Sequence, residues 1–223
     1  MIVGRLLLLL LLLLLLSLSL APGDAVAAKA RSPAGDYRLV GEQDVASGIR
    51  LTPDGRFRYF LIAGALDEQA EGRWSLAGRS IVLVTEPKPR PPKFRRGESR
   101  RTGEAALTVK VASPDGRGIA GIDLRLGFDE GEPILAYTQE DGWSLPAGES
   151  RTPRWIELAV PMHGLASPRF PIDLAAGNAL DFTLIPNDLG VLDFEGVTVT
   201  VERMALIVER GGGRLRYERV GER

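Results

Sequence analysis

The segment IRLTPDGRFRY, residues Ile49–Tyr59, gives the clearest indication of the fold class. Apolar side chains occupy every second position on both sides of the segment Pro53-Asp54-Gly55, and polar or basic side chains lie between them. A period of two is that of a β-strand with one face on a core. Proline fixes φ and glycine tolerates a positive φ, so the three residues between the runs favour a tight turn. This stretch therefore predicts an antiparallel β-hairpin.

The same alternation continues on both sides of the hairpin. Tyr37 and Leu39 begin the pattern, Trp74 and Leu76 form a further run, and Ser80–Val84 ends it. Together with the hairpin, these runs make about five short strands. We predict that residues 36–85 form an antiparallel β-meander.

Residues 86–102 interrupt the pattern with four prolines and seven Lys or Arg side chains. Proline cannot donate to a β-ladder, which excludes a central strand, and proline-rich chain is stiff. We therefore predict a basic, Pro-rich linker. It is either a solvated spacer or a contact for anionic surfaces and envelope partners, and the candidate contact residues are Arg95, Arg96, Arg100 and Arg101.

Residues 104–145 and 150–223 return to β character. Leu107, Val109 and Val111 alternate with other residues, and the SPDG segment at residues 113–116 predicts a turn. Further strand-like runs follow, at Trp155–Val160, Phe170–Leu174, Leu180–Ile185, 197–201, Met204–Val208 and Leu215–Tyr217. No long stretch has the 3.6-residue period of a helix. The predicted fold class is all-β, an antiparallel meander or small barrel plus a β-sandwich.

Two parts of the chain resemble known families. The segment VKVASPDGRGIAGIDL at residues 109–124, followed by TQEDGW at 138–143, resembles the carboxypeptidase-regulatory-like (prealbumin-like) domains. Their pattern is a strand, a D-G turn, a small-residue step into a second strand, and a T-x-x-D-G segment. The resemblance implies a small β-sandwich over residues 104–145 and an accessory or binding role without catalysis.

The first meander, from GDYRL at residues 35–39 through GRW at 72–74 to IVL at 81–83, resembles the start of a lipocalin-like barrel. Five strands cannot close a barrel of the usual eight. Either the meander is a small open sheet, or strands between Trp155 and Tyr217 return to complete it around an inserted sandwich segment. The whole chain is also similar to secreted proteins of Gram-negative bacteria, which implies no function.

The N-terminus has the layout of a secretory signal peptide. Arg5 precedes eleven consecutive leucines, and Pro22-Gly23 and the small residues Ala25-Val26-Ala27 follow. The apolar run is shorter than the roughly 20 residues of a spanning helix, so we predict a cleaved signal peptide over residues 1–27 rather than an anchor. The chain contains no cysteine, which is typical of bacterial envelope proteins with a sufficient core. We expect localisation in the periplasm or secretion, with no membrane span after cleavage.

No catalytic motif stands out. His163 is the only histidine, and neither a nucleophile elbow nor a phosphate-binding glycine loop occurs, so we expect no catalytic residue, metal, cofactor or nucleic-acid partner. A glycosidase would need two carboxylates across a cleft. The acidic groups available for such a pair fall in predicted turns, and they are Asp67, Glu68 and Glu71, then Asp129, Glu130 and Glu132, and Glu140 with Asp141.

The remaining candidates are aromatic. Phe57, Tyr59 and Trp74 lie at strand spacing and either fill the core or line a ligand pocket. The sequence thus favours an exported, non-enzymatic binding or interaction module of the bacterial envelope, with an envelope protein or glycan among its partners. Two alternatives stay open, namely an envelope carbohydrate hydrolase with a carboxylate pair and a structural assembly component docked through residues 86–102.

Overall fold

A computed structural model describes residues 32–210 and 212–221. The predicted all-β class is confirmed, since strands dominate the described chain and a single short 3-10 helix, Pro161–His163, interrupts them. The predicted signal peptide, residues 1–27, lies outside the described residues. Among the described residues, no helix is both long and apolar enough to cross a membrane.

Seventeen strands are present in the described chain. The first five are β1 Gly35–Val40, β2 Val45–Leu51, β3 Arg56–Ala63, β4 Leu66–Ala77 and β5 Ser80–Thr85. The middle nine are β6 Lys93–Arg96, β7 Thr108–Ala112, β8 Asp123–Phe128, β9 Ile134–Tyr137, β10 Trp143–Ser144, β11 Pro153–Val160, β12 Leu165–Ala166, β13 Phe170–Pro171 and β14 Ala179–Ile185. The last three are β15 Glu195–Glu202, β16 Ala205–Arg210 and β17 Gly213–Arg219.

The first five and last three strands form a closed antiparallel barrel. Its order is β1-β17-β16-β15-β5-β4-β3-β2. Two pairings join distant parts of the chain: β1 with β17, where Leu39 faces Tyr217, and β5 with β15, where Ile81 faces Val199. The barrel strands therefore flank β6–β14. Residues from Glu195 onward close the barrel, whereas the strands between Trp155 and Ile185 belong to the other sheets.

Side chains at alternate positions fill the lumen of the barrel. The hairpin that decided the fold class contributes Ile49, Leu51, Phe57 and Tyr59, each at most 5% exposed. They pack with buried residues of the other barrel strands, among them Tyr37, Leu83, Val199, Leu206 and Tyr217. An eight-stranded barrel has an interior just wide enough to be filled by side chains. The lumen is thus the hydrophobic core of this part of the protein.

Strands β6–β14 form two sheets over a second core. One sheet has the order β10-β7-β14-β6, and the other has the order β12-β11-β8-β9 with β13 also paired to β11. Both sheets bury alternate side chains against each other, including Val109, Leu126, Ile156 and Phe182. The pair β7 and β14 is parallel, while the other pairs in these sheets are antiparallel. We call this part the sandwich.

The segment predicted to be a linker is part of the sandwich over some of its length. Residues 93–96 form β6, which pairs antiparallel with β14, and Phe94 is buried at 7% exposure. The four prolines of the segment all precede β6. Because they precede it, none of the prolines lies inside the ladder of β6 and β14. As an edge strand, β6 needs only one row of backbone hydrogen bonds. Residues 93–96 of this segment therefore belong to the sandwich.

Two connectors join the barrel to the sandwich, residues 86–92 on the way out and 186–194 on the way back. They are bonded to each other: the Arg90 backbone N–H donates to Asp188 Oδ2 at 2.7 Å, and Asn187 Nδ2 donates to the Pro91 carbonyl at 2.8 Å. Lys88 Nζ also pairs with Asp193 Oδ2 at 3.4 Å and with Glu195. These contacts hold the two connectors side by side where they leave the barrel.

A substitution at Gly72 tests the join between barrel and connector. A Cβ there would lie 2.0 Å from the Val84 carbonyl oxygen and 2.7 Å from the Glu86 nitrogen, both rigid backbone atoms. We expect Gly72→Ala to lower the free energy of unfolding by about 3 kcal/mol in chemical denaturation, because the β4–β5 ladder must separate. The control is Gly103→Ala, where a Cβ meets nothing within 4 Å. Equal midpoints for the two variants would contradict the pairing.

Candidate functional site

The candidate site is a groove of about 760 Å³ on the outer face of the barrel. Its floor consists of outward-facing residues of the four neighbouring strands β1–β4. Both connectors form its wall, through Pro87, Lys88 and Pro89 on the outgoing chain and Asp188 and Val191 on the returning chain. Ligand sites occur preferentially at such junctions between folded parts.

The floor is built from two rows of side chains that run across the strands. In the first row Arg38 faces Gly48, Gly48 faces Phe60, and Phe60 faces Gln69. In the second row Asp36 faces Arg50, Arg50 faces Arg58, and Arg58 faces Glu71. Residues directly opposite on an antiparallel pair share a face of the sheet, so both rows point out of the barrel.

Glycine at position 48 makes room for the aromatic ring of the first row. A Cβ there would lie 2.7 Å from Phe60 Cε1 and 3.1 Å from the Tyr37 carbonyl oxygen. The Phe60 ring therefore lies across Gly48, and the Arg38 guanidinium carbon is 5.3 Å from its centroid. This distance is within the range of a cation–π contact. The row thus combines an apolar ring with a cation beside it.

The charges of the second row compensate one another. Arg50 Nε donates to Asp36 Oδ1 at 2.5 Å and Nη2 donates to Oδ2 at 3.3 Å, a two-point contact. Arg58 Nε lies 3.7 Å from Glu71 Oε2. At the wall, Asp188 pairs with Arg90 at 3.7 Å, and Lys88 pairs with Asp193 and Glu195. Among the described residues, Arg38 is therefore the one charged side chain of the groove without an oppositely charged partner.

The returning connector closes the groove at β4. Strand β5 ends at Thr85, opposite Gly72, and leaves the first half of β4 without that neighbour. The Gln69 N–H donates instead to the Gly190 carbonyl at 2.9 Å, and the Leu192 N–H donates to the Gln69 carbonyl at 2.8 Å. Covering an exposed strand edge in this way also prevents unwanted pairing. The wall of the groove is consequently fixed by backbone hydrogen bonds.

The aromatic candidates of the sequence make packing contacts in the barrel, and one of them, Tyr59, also borders the groove. Phe57 and Tyr59 point into the lumen, where the Phe194 ring lies 5.9 Å and 5.3 Å from their ring centroids. Trp74 Nε1 donates to the Thr52 carbonyl at 2.9 Å beside the hairpin turn. All three have packing roles, and ligand binding by them stays a prediction. Phe60 was not among the predicted site residues, although the alternation through Phe57 and Tyr59 places its side chain on the outer face of β3.

The basic candidates are mostly bonded within the sandwich. Arg100 Nη2 pairs with Asp181 Oδ2 at 2.7 Å, and Arg101 Nη2 donates to the Leu174 and Ala175 carbonyls at 2.8 and 2.9 Å. Arg96 donates to the Pro171 carbonyl and to Ser99 Oγ. Arg95 is exposed and has no ion pair among the described residues. Contact of these arginines with an anionic surface stays a prediction.

The lumen contains a polar cluster that the sequence did not indicate. Arg210 Nη2 donates to Glu68 Oε1 at 2.7 Å, and Nη1 donates to the Tyr59 hydroxyl at 3.0 Å. Glu68 Oε2 lies 2.6 Å from the same Nη1 but accepts no hydrogen bond from the described residues. The hydrogen bond to Glu68 raises the pKa of Arg210 above its usual value. Glu68 and Arg210 thus form an ion pair in which the carboxylate is buried and the guanidinium is partly exposed.

Two hydroxyl groups form a second polar contact in the lumen. Ser47 Oγ donates to the Phe60 carbonyl at 2.6 Å and lies 2.9 Å from the Tyr217 hydroxyl. Burial raises the pKa of Tyr217 well above its ordinary value, so the phenol stays protonated at neutral pH. These bonds satisfy polar atoms inside the core and tie β2, β3 and β17 together.

The acidic candidates of β4 lie on both faces of that strand. Asp67, Glu68 and Glu71 lie in β4 rather than in the predicted turn, and alternation sends Glu68 inward and the other two outward. In the sandwich, Arg151 lowers the pKa of Glu149 to about 2 through hydrogen bonds. His163 ends the short helix Pro161–His163. Over the described residues, no group of three or more potential metal ligands comes together.

Comparison with family models, with curated proteins and with solved structures finds no match.

Substituting Glu68 tests the ion pair in the lumen. Glu68→Gln leaves the Arg210 charge without its carboxylate, and we expect a loss of about 2 kcal/mol of unfolding free energy, discounted because Arg210 is partly exposed. The matched control is Glu71→Gln on the same strand, whose exposed pair with Arg58 should contribute less than about 0.5 kcal/mol. Chemical denaturation of both variants measures the difference. Equal effects would contradict a structural role for the buried pair.

Proposed function

We propose that this protein is an exported, non-enzymatic binding module of the bacterial envelope. Its ligand is a small amphipathic molecule with an anionic head group, held in the groove on β1–β4. The observation that carries this proposal is the uncompensated Arg38 guanidinium beside the half-buried Phe60 ring.

The head group is assigned by the charge balance of the groove. Arg50, Arg58 and Lys88 are engaged with carboxylates of the protein, so an incoming anion finds the Arg38 guanidinium available. Guanidinium groups bind carboxylate and phosphate through two parallel hydrogen bonds, which are among the strong ones in proteins. A ligand with a positive head group would instead have to displace one of the existing ion pairs.

The apolar part of the ligand is assigned by the remaining lining. Phe60, Gly48, Val191 and the prolines at 87 and 89 offer carbon surface along the groove. Crossing four strands, the floor extends over about 14 Å, three strand spacings of roughly 4.8 Å. An extended acyl chain matches such a shape. The lumen, by contrast, is packed with side chains, so we place the ligand outside the barrel.

The compartment and the finer family resemblances belong to the same proposal. A signal peptide over residues 1–27 and a chain without cysteine support export to the periplasm or beyond. The eight-stranded barrel supports a lipocalin-like origin for the meander, and the sandwich supports a prealbumin-like one for the inserted strands. An envelope protein or glycan stays the partner class, with no role for nucleic acid, a metal or a cofactor.

The two alternative functions have less support. For a hydrolase with a carboxylate pair, the β4 candidates are unfavourable, because Glu68 faces inward and pairs with Arg210 whereas Glu71 faces outward and pairs with Arg58. An assembly component docked through residues 86–102 would use arginines of which three are bonded to the sandwich. Neither alternative uses the groove.

Binding of dodecanoate, an acyl chain with a carboxylate head, tests the proposal. We expect the mature protein to bind it in isothermal titration calorimetry and Arg38→Gln to weaken binding by about tenfold, the effect of losing one charge-assisted contact. The control is Arg95→Gln, an exposed arginine on β6 outside the groove, which should bind as the wild type does. No measurable binding, or equal binding by both variants, would contradict the assignment.

A further inference from the structure

The exposed edges of the sandwich sheets are protected in all places but one. Strands β10, β12 and β13 are only two residues long, and β6 carries three basic side chains and follows four prolines. Short length, charge and proline are the usual means by which proteins block pairing at a sheet edge. Strand β9, the outer neighbour of β8, follows a single proline, Pro133, but none of its four residues is charged or a proline.

Strand β9 is also apolar and exposed. Its sequence is Ile-Leu-Ala-Tyr, residues Ile134–Tyr137, without a charge. Leu135 is 75% exposed and Tyr137 is 60% exposed, and both lie on the outer face of the sheet. An uncharged edge strand with large apolar side chains is a template for strand pairing.

The hydrogen-bonding direction of β9 follows from the residue after it. The Thr138 N–H donates to the Ile122 carbonyl at 2.9 Å, which is toward β8. Backbone groups of an antiparallel strand alternate in direction, so the Ala136 groups also point to β8. The N–H and C=O groups of Leu135 and Tyr137 therefore point to the free edge and have no strand to bond.

We propose that β9 pairs antiparallel with β9 of a second copy of this chain, around a two-fold axis at Ala136. In this register Leu135 lies opposite Tyr137 of the second copy, and Tyr137 lies opposite its Leu135. The four free N–H groups, two from each copy, then donate to the four free carbonyls. The sheets β12-β11-β8-β9 of the two copies then become one continuous sheet. This inference goes beyond the proposed function and uses residues outside the groove.

The register is selected by backbone and side-chain chemistry. Shifting the axis to Leu135 would place Tyr137 opposite Pro133, which has no N–H to donate. Shifting by a single residue would bring outward side chains opposite inward ones, which the pleat does not allow. The axis at Ala136 instead forms two aromatic–aliphatic cross-strand pairs, a favourable type of contact.

The charges beside β9 fit the same arrangement. On strand β8, Arg125 faces Leu135 and Asp123 faces Tyr137. Each row across the dimer would therefore run from Arg125 through the Leu135–Tyr137 pair to Asp123 of the second copy. The two β8 residues of each row have opposite charges, and Arg125 is also paired with Glu157 of β11 at 3.9 Å, so no like charges meet across the apolar centre.

The size of the interface sets the expected affinity. Four residues from each copy form the pairing, which places it among small, weak interfaces. We expect a dissociation constant on the order of 10–100 µM for the mature protein. Sedimentation velocity over a concentration series up to about 500 µM measures it. A protein that remains monomeric over the whole series overturns the proposal.

A charge introduced at the centre should separate the copies. Leu135→Lys places an ammonium opposite Tyr137 of the second copy, and we expect the dissociation constant to rise by about tenfold or more. The control is Leu76→Lys on β4 of the barrel, a leucine of similar exposure at 61%, which should dimerise as the wild type does. Both positions are exposed, so unchanged circular dichroism verifies folding. Equal weakening by both variants overturns the assignment to β9.

Cysteine cross-linking tests the register, because the chain contains no cysteine of its own. Opposite residues of an antiparallel pair lie about 4.5–5.5 Å apart between Cα atoms, which is within the range of a disulfide. Ala136→Cys should therefore link the two copies under mild oxidation. Leu135→Cys should not, since the two positions 135 would be about 9 Å apart. Efficient linking through position 135 rather than 136 overturns this register.

Discussion

Closure of the barrel depends on one constraint: the chain that leaves β5 at Thr85 must return beside it at Glu195. Residues 86–194 lie between these points, and their two ends have to arrive side by side before Val84 and Glu195 can pair. The sandwich meets this constraint because its entry strand β6 is bonded to its exit strand β14, with Lys93 opposite Ile185. The inserted strands hold their own ends together. Closing the barrel therefore loses little more chain entropy than closing a short loop does.

The groove is a consequence of the same arrangement. Strand β4 is longer than β5, and the returning connector covers the edge that β5 leaves open. The two connectors are bonded to each other through Arg90 and Asp188 and so stand as a wall over the outer face of β1–β4. Because the lumen is already filled by the core, this outer face is where the barrel has room for a ligand. The shape of the groove and the closure of the barrel therefore rely on the same few contacts.

Much of the fold could be predicted from period and turn chemistry, since both are local. Residues 49–59 indicated a hairpin, and the structure has it as β2 and β3. Strand β6 was missed because its proline and charge content is typical of a linker, while its pairing with β14 is non-local. Phe60 was missed for a related reason: its partner Gly48 and the cation Arg38 meet it only across strands, in a register that no single stretch of sequence displays.

Native mass spectrometry of the mature protein, purified from the envelope of its own host, is the sharpest test for a ligand in the groove. We expect a reproducible extra mass that leaves on denaturation and belongs to a small acidic amphiphile. The same mass should be lost in the Arg38→Gln protein and retained in Arg95→Gln. A wild-type protein that carries no ligand, or a ligand retained equally by both variants, would contradict a binding site in the groove beside Phe60.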